Sequence, residues 1–130
     1  MNEKKISPTK SRDRALQSLY EMEISNISLK EIVERYKKDD SSFFRVLLAG
    51  VAESIEELDK KIKLFIDIPL SKLDPIERNT LRIALFELER GEVDRLVIIS
   101  EAIRLSKKFG STDGYKFINA VLDKFIKKKS

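Results

Sequence analysis

The chain has no cysteine and no histidine, and only three prolines and four glycines interrupt its 130 residues. Without cysteine there is no disulfide, no thiolate nucleophile and no thiolate metal site. Without histidine the commonest metal ligand and the commonest general base are missing as well. These absences close most catalytic plans, so the sequence is read as that of a non-enzyme with no metal site and no cofactor. No stretch approaches the roughly 20 apolar residues of a membrane span, and the opening run from Met1 to Lys5 leads into no apolar signal core. The expectation is a cytoplasmic protein with no membrane partner.

What is present favours helix. Hydrophobic residues make up 42% and charged residues 37% of the chain, with Lys, Glu, Leu and Ile prominent, the set that loses least side-chain freedom in a helix. The length suits one domain over residues 1–130, which on folding would bury about two thirds of the surface of the unfolded chain. Residues 1–7 read as a flexible lead-in and 127–130 as a basic tail. Net charge is +4, but it is unevenly spread: residues 1–14 carry +3, residues 104–130 carry +6, and the stretch between them carries −5. If the two ends meet in the fold they form a basic face suited to a polyanion; if they do not, they are solvated tails.

Apolar spacing and capping residues divide the chain into helices. Ser7 before Pro8 fits an N-cap followed by proline at the first helical position, and a helix to about Ile24 follows. Asn26 and Ser28 mark a turn before a short helix carrying Leu29, Ile32, Val33 and Tyr36. From Ser41 or Ser42 the residues Phe44, Leu48, Val51, Ile55, Leu58, Ile62 and Phe65 alternate steps of four and three, a long core helix with room for one break before Pro69. Asp74, Pro75 and Glu77 combine an N-cap acid, a first-turn proline and the third-position glutamate of a capping box, and Gly91 is placed to end that helix in a left-handed conformation. Val97, Ile98 and Ile99 have no partner strand and read as the first turns of a helix that stops at Gly110. A last helix starts near Ser111 to Asp113, with Phe117, Ile118, Val121, Leu122 and Phe125 inward. The fold class is all-α, a compact bundle of six to seven helices.

Candidate chemistry is sparse. Asp39 and Asp40 read as a solvated turn at a helix end, and Glu53, Glu56, Glu57 and Asp59 as ion-paired surface beside Lys60, Lys61 and Lys63. Binding is better supported. Lys10, Arg12 and Arg14 precede Tyr20 on the first helix, and a cation track leading to an aromatic ring suits single-stranded RNA, with phosphates on the cations and an unstacked base on the ring. From spacing alone Tyr20 better fits a ring at the core margin with its hydroxyl exposed. Lys107 and Lys108 fall where helix-end cations favour the dipole, and Lys108 is also a possible phosphate contact. Phe117 begins an apolar stripe, and Asn119, offering donors and acceptors, needs partners or water.

Taken together these stretches resemble the NusB family. They are Arg12 to Tyr20 (RDRALQSLY), Leu48 to Val51 (LAGV), Asp74 to Leu88 (DPIERNTLRIALFEL), and Ile99 to Ile103 (ISEAI) through Lys107 to Gly110 (KKFG) to Lys116 to Asp123 (KFINAVLD). The resemblance covers nearly the whole chain in order. It implies an all-α fold of two helical halves and a transcription antitermination factor that binds boxA-type single-stranded RNA of ribosomal RNA leaders together with ribosomal protein NusE, so that RNA polymerase, with other antitermination factors, reads through terminators. The RNA-contacting positions it implies are Lys10, Arg12, Tyr20, Glu77, Lys116 and Phe117, with Arg14, Lys108, Asp113 and Asn119 as further candidates. Two departures stand out: Pro8 and Thr9 occupy what is usually a denser arginine run, and Ala120 stands where glycine is common. Competing readings are a helical adapter that holds a basic partner on its acidic middle and binds RNA incidentally, and, more remotely, a metal-dependent hydrolase using Asp or Glu.

Overall fold

Capping chemistry sets the helix boundaries in the computed structural model, which describes residues 6–38 and 41–129, the last by its backbone only. Residues 1–5 of the expected 1–7 lead-in, the Asp39–Asp40 turn and the end of the basic tail at Ser130 lie outside the described residues, while Ser7 is the N-cap of the first helix. Helix α1 (Pro8–Ser25) starts with Ser7 accepting from the Lys10 backbone N–H and ends at Asn26 in the left-handed region (φ 55°). Ser28 caps α2 (Leu29–Arg35) in the same way, and Ser41 caps α3 (Ser42–Glu53). The heptad-like stripe does break once, at Ser54, giving α4 (Ile55–Lys63), and a single 3-10 turn (Leu70–Lys72) leads to the next helix.

Asp74 caps α5 (Pro75–Arg90), with Pro75 in the first turn, and Gly91 closes it at φ 68°, where a side chain would be strained. Glu77, however, does not complete a capping box. Its carboxylate accepts from the Ser111 hydroxyl at 2.8 Å instead. Helix α6 (Arg95–Phe109) begins at an N-cap that the sequence reading passed over, Asp94. Helix α7 runs Gly114–Lys129. All seven are α-helices, and there is no strand among the described residues.

The helices enclose one set of buried side chains, including Leu16, Phe44, Leu48, Leu81, Ile98 and Leu122; each such residue contributes about 1.5–3 kcal/mol by leaving water. Helix α5 is the shared element. It packs on α1, α3 and α4 on one side and on α6 and α7 on the other, which divides the bundle into an α1–α4 half and an α5–α7 half. At the α3–α5 crossing Gly50 lets the Phe86 ring lie against the helix backbone, in space a Cβ would fill. Val97 is 46% exposed, and Leu96 beside it 76%, because the buried stripe of α6 runs Ile98, Ala102, Leu105.

Candidate nucleic-acid interface

The two basic stretches meet in part: residues 9–13 lie against residues 101–108, whereas Lys128 near the end of α7 lies 6.0 Å from the Phe65 ring, beyond α4. The first turns of α1 lie along the second half of α6, tied by Thr9 Oγ1 donating to Glu101 (2.8 Å), Arg104 donating to the Thr9 carbonyl (3.3 Å), and Lys108 Nζ donating to Asp13 Oδ2 (2.8 Å). Arg104 also reaches Asp13 Oδ1 at 2.8 Å and Glu101 at 2.7 Å. Burial pushes the Asp13 carboxyl up, but the hydrogen bond from Lys108 and the adjacent Arg104 cation outweigh it and hold the group below its ordinary range. For Glu101 burial likewise acts upward, and Arg104, Thr9 and Arg12 bring it below the ordinary value. The seam is therefore ionised at neutral pH.

Arg12 does not stand on the solvent side of that seam. It is 3% exposed, with Nε and Nη2 each 2.8 Å from a different oxygen of Glu87 and Nη1 3.0 Å from Glu101. The Phe43 ring lies 5.1 Å from its guanidinium carbon. Burial works against its charge, yet the hydrogen bonds and attraction of Glu87 and then Glu101 raise its pKa further. The expectation that Arg12 faces phosphate thus meets a guanidinium already filled by two carboxylates. A signal for this was available: Arg12 stands one and two turns before Leu16 and Leu19, on the buried stripe of α1. Glu87 and Glu101 were missed for the same reason, each lying on a stripe otherwise made of apolar residues.

The remaining candidates divide by exposure. Lys10, Lys107, Lys108 and Lys116 are exposed, and so are Asp113 and Asn119, whose amide has water within reach. Lys116 is 3.4 Å from Asp113, a one-turn surface pair, and Lys107 Nζ sits 4.6 Å from the centre of the Tyr115 ring. Tyr20 presents its ring at 37% exposure, the margin position that fits either of its two readings. Phe117 is half-buried and packs on the core. Arg14 lies over Tyr36 at 4.3 Å and Phe44 at 5.6 Å, so it is engaged with aromatic rings toward α2 and α3. Glu77 is buried beneath the start of α7, and a Cβ on Gly114 would run into its carboxylate. Lys10, Lys107, Lys108 and Lys116 are thus gathered at the α1/α6/α7 end, while Arg12 and Glu77 serve the interior there.

The far end of α1 is built differently. Glu23 pairs with Arg78 and is 3.6 Å from Arg82, and Arg82 holds Asp59 through two 2.8 Å bonds. The α4 acids were expected to pair along their own helix; Asp59 instead bridges to α5, as does Lys61 to Glu89 at 2.6 Å. Glu23, Asp59, Asp67 and Arg78 border an open cleft of about 840 Å³ whose rim includes Ile68. Among the described residues no helix is long and apolar enough to cross a membrane, and no cluster of acids is arranged to hold a metal ion.

Comparison with known proteins agrees with this architecture. The pattern of the NusB family matches residues 9–127. The transcription antitermination protein NusB of Hahella chejuensis is 40% identical over 121 residues, 88% of this chain and 81% of that protein. Its counterpart in Shewanella amazonensis is 37% identical over 124 residues, 90% of this chain and 92% of that one. Among solved structures, NusB of T. maritima superposes with a TM-score of 0.86 at 26% identity, covering 95% of this chain and 93% of that chain. A chain from a complex of the antitermination factors NusB and NusE with double-stranded RNA gives 0.78 at 25% identity, over 92% and 96%. A match over nearly the whole length, in sequence and in the course of all seven helices, leaves one reading: the chain belongs to the NusB family.

Proposed function

We propose that this protein is a transcription antitermination factor that binds boxA-type single-stranded RNA of ribosomal RNA leader transcripts together with ribosomal protein NusE, and so acts on RNA polymerase alongside other antitermination factors. The observation that carries the reading is the junction of α1 with α6: exposed Lys10, Lys107 and Lys108 come from the two basic ends of the sequence. A half-exposed Tyr20 ring lies further along α1. Phosphates meet the lysines and position the strand, while an unstacked base lies on the ring. Lys116 and Phe117 at the start of α7 extend the same end. The Arg12 guanidinium, filled by Glu87 and Glu101, acts as the support that fixes α1 against α5 and α6. Residues 1–130 then act as one RNA-binding domain.

NusE, a basic ribosomal protein, would take a different surface. The net-negative middle of the chain includes the cleft where Glu23, Asp59 and Asp67 stand beside Lys63, Arg78 and Arg82, and exposed Ile24, Leu64 and Ile68 add apolar area nearby. The experiment is binding of a boxA-like strand and of a scrambled strand, with and without NusE. Preference for boxA that NusE strengthens supports the reading. Equal, weak binding of both strands together with tight NusE binding would favour the adapter alternative. Chemical-shift mapping that placed NusE on residues 4–14 would overturn the separation of the two surfaces.

A further inference from the structure

One feature of the basic end is out of place in an anion-binding surface: a carboxylate at its centre. Asp13 projects from α1 between Arg104 and Lys108, which stand one turn apart on α6, and each of its oxygens takes one cation at 2.8 Å. The acid lies innermost, with its side chain 11% exposed against 30% for Arg104 and 52% for Lys108. This is the arrangement of an oxyanion held by two cations, with the anion supplied by the protein. By contrast, Lys10 and Lys107 have no carboxylate partner among the described residues.

Resting on the RNA reading above, we propose that Asp13 is an internal stand-in for an RNA phosphate, and that Lys108 is exchanged from Asp13 to the RNA backbone on binding, so that Asp13 sets the affinity of the basic face.

The two cations are not equivalent. Arg104 is fixed: besides Asp13 it holds Glu101 at 2.7 Å and the Thr9 carbonyl at 3.3 Å. Among the described residues Lys108 has the single carboxylate partner Asp13, and it has a flexible stem and the greater exposure, with the Phe109 ring 5.2 Å from its ammonium. If Lys108 leaves, Asp13 keeps Arg104, and no carboxylate is stranded without a counter-charge, the outcome that makes breaking a buried pair costly. A phosphate must compete with Asp13 for Lys108. That competition lowers affinity, and it vanishes when the acid is neutralised.

The test compares the parent, Asp13→Asn, Lys108→Gln and the double variant for binding a boxA-type single-stranded oligonucleotide over a salt series, each after a thermal melt confirms folding. Asparagine keeps the size of the side chain and an oxygen for Arg104. Asp13→Asn should bind about five-fold tighter at 0.1 M salt, with a log–log salt slope close to the parent's, because Lys108 neutralises the same phosphate in both complexes. The gain should disappear in the double variant. Folded Asp13→Asn with unchanged or weaker binding, or a gain that survives Lys108→Gln, overturns the exchange while leaving the RNA reading intact. A parent that binds no RNA overturns both. Should Asp13→Asn fail to fold, the carbon-13 signal of the Asp13 carboxyl in the parent decides: saturating RNA must move its titration upward as Lys108 departs, and an unmoved titration overturns the proposal.

Discussion

The two ends of α1 are anchored by the same device and serve opposite purposes. At its start Arg12 and Asp13 tie the helix to α5 and α6 through Glu87, Glu101, Arg104 and Lys108. At its end Glu23 ties it to Arg78 and Arg82 of α5. The first anchor is deeper, with the Arg12 and Glu87 side chains at 4% and 3% exposure, whereas Arg78 and Glu23 are at 11% and 29%. The first also leaves exposed Lys10 and Lys107 around it, and the second borders an open cleft where Glu23, Asp59 and Asp67 face Lys63, Arg78 and Arg82. Ion pairing thus fixes both ends of α1, and only its start is left beside exposed lysines without a carboxylate partner among the described residues, Lys10 and Lys107.

The contrast in depth predicts the largest effect. Arg12→Ala strands the Glu87 carboxylate in the interior and should cost about 3–5 kcal/mol in urea unfolding. Arg12→Met, which restores packing but not the pairing, leaves the same acid stranded and should recover little unless combined with Glu87→Gln. Arg78→Ala at the other end should cost less, about 1–3 kcal/mol, chiefly by stripping the Leu70 and Leu73 carbonyls of their donor. RNA binding should be unchanged in the Arg78 variant. An Arg12→Ala protein as stable as the parent would remove the distinction between the two anchors.

Salt should separate the faces next. If about four cations at the α1/α6/α7 end engage phosphates, RNA affinity should fall roughly fifty-fold between 50 and 200 mM salt. A flat response would mean that the basic end is not the RNA surface.

Tyr20 sharpens the same point. Tyr20→Ala should cost about 1–3 kcal/mol of RNA binding if a base stacks on the ring, and Tyr20→Phe should be nearly silent. A folded Tyr20→Ala protein that binds like the parent would return the ring to a purely structural role. Phe117→Ala is informative only alongside a melt, because loss of a buried phenylalanine typically costs about 3–5 kcal/mol of stability.

Acid should act on the α1/α6 seam. Asp13 and Glu101 are held below the ordinary carboxylate range when folded, so the unfolded chain binds their protons first as pH falls. Their stabilisation is complete above the ordinary carboxylate values near pH 4 and is lost as pH drops through the depressed folded ones. Chemical denaturation between about pH 5 and 2 should show stability declining with acid, and Asp13→Asn should flatten that decline. A decline identical in the variant would exclude Asp13 as a contributor. The smallest effect belongs to the exposed pair Lys116 and Asp113, 3.4 Å apart: Asp113→Ala should change stability by less than about 0.5 kcal/mol.

Much of the fold could be read from local chemistry. Ser7, Ser28, Ser41 and Asp74 each cap the helix that follows, Gly91 takes the left-handed turn, and the stripe from Phe44 to Ile62 is buried at the expected spacing. These features depend on interactions within a few residues, and a sequence displays such interactions directly. The basic end was legible only as a condition, two charged termini that form a face if they meet. Exposure separated the candidate residues within it: lysines and Tyr20 outside, Arg12 and Glu77 inside.

The sequence by itself determined the helices, their buried stripes and the charge carried by each segment, because period, caps and composition act locally. Only the tertiary structure decided which charges face water. The carboxylates that claim Arg12 lie 75 and 89 residues along the chain, and the one that claims Lys108 lies 95 residues away. No local pattern encodes a partner at that distance; it is set by how α5 and α6 pack on α1. The same packing turned Glu77 from a cap for its own helix into an acceptor for Ser111. A charge on an apolar stripe says that a partner must exist, and the fold says which one.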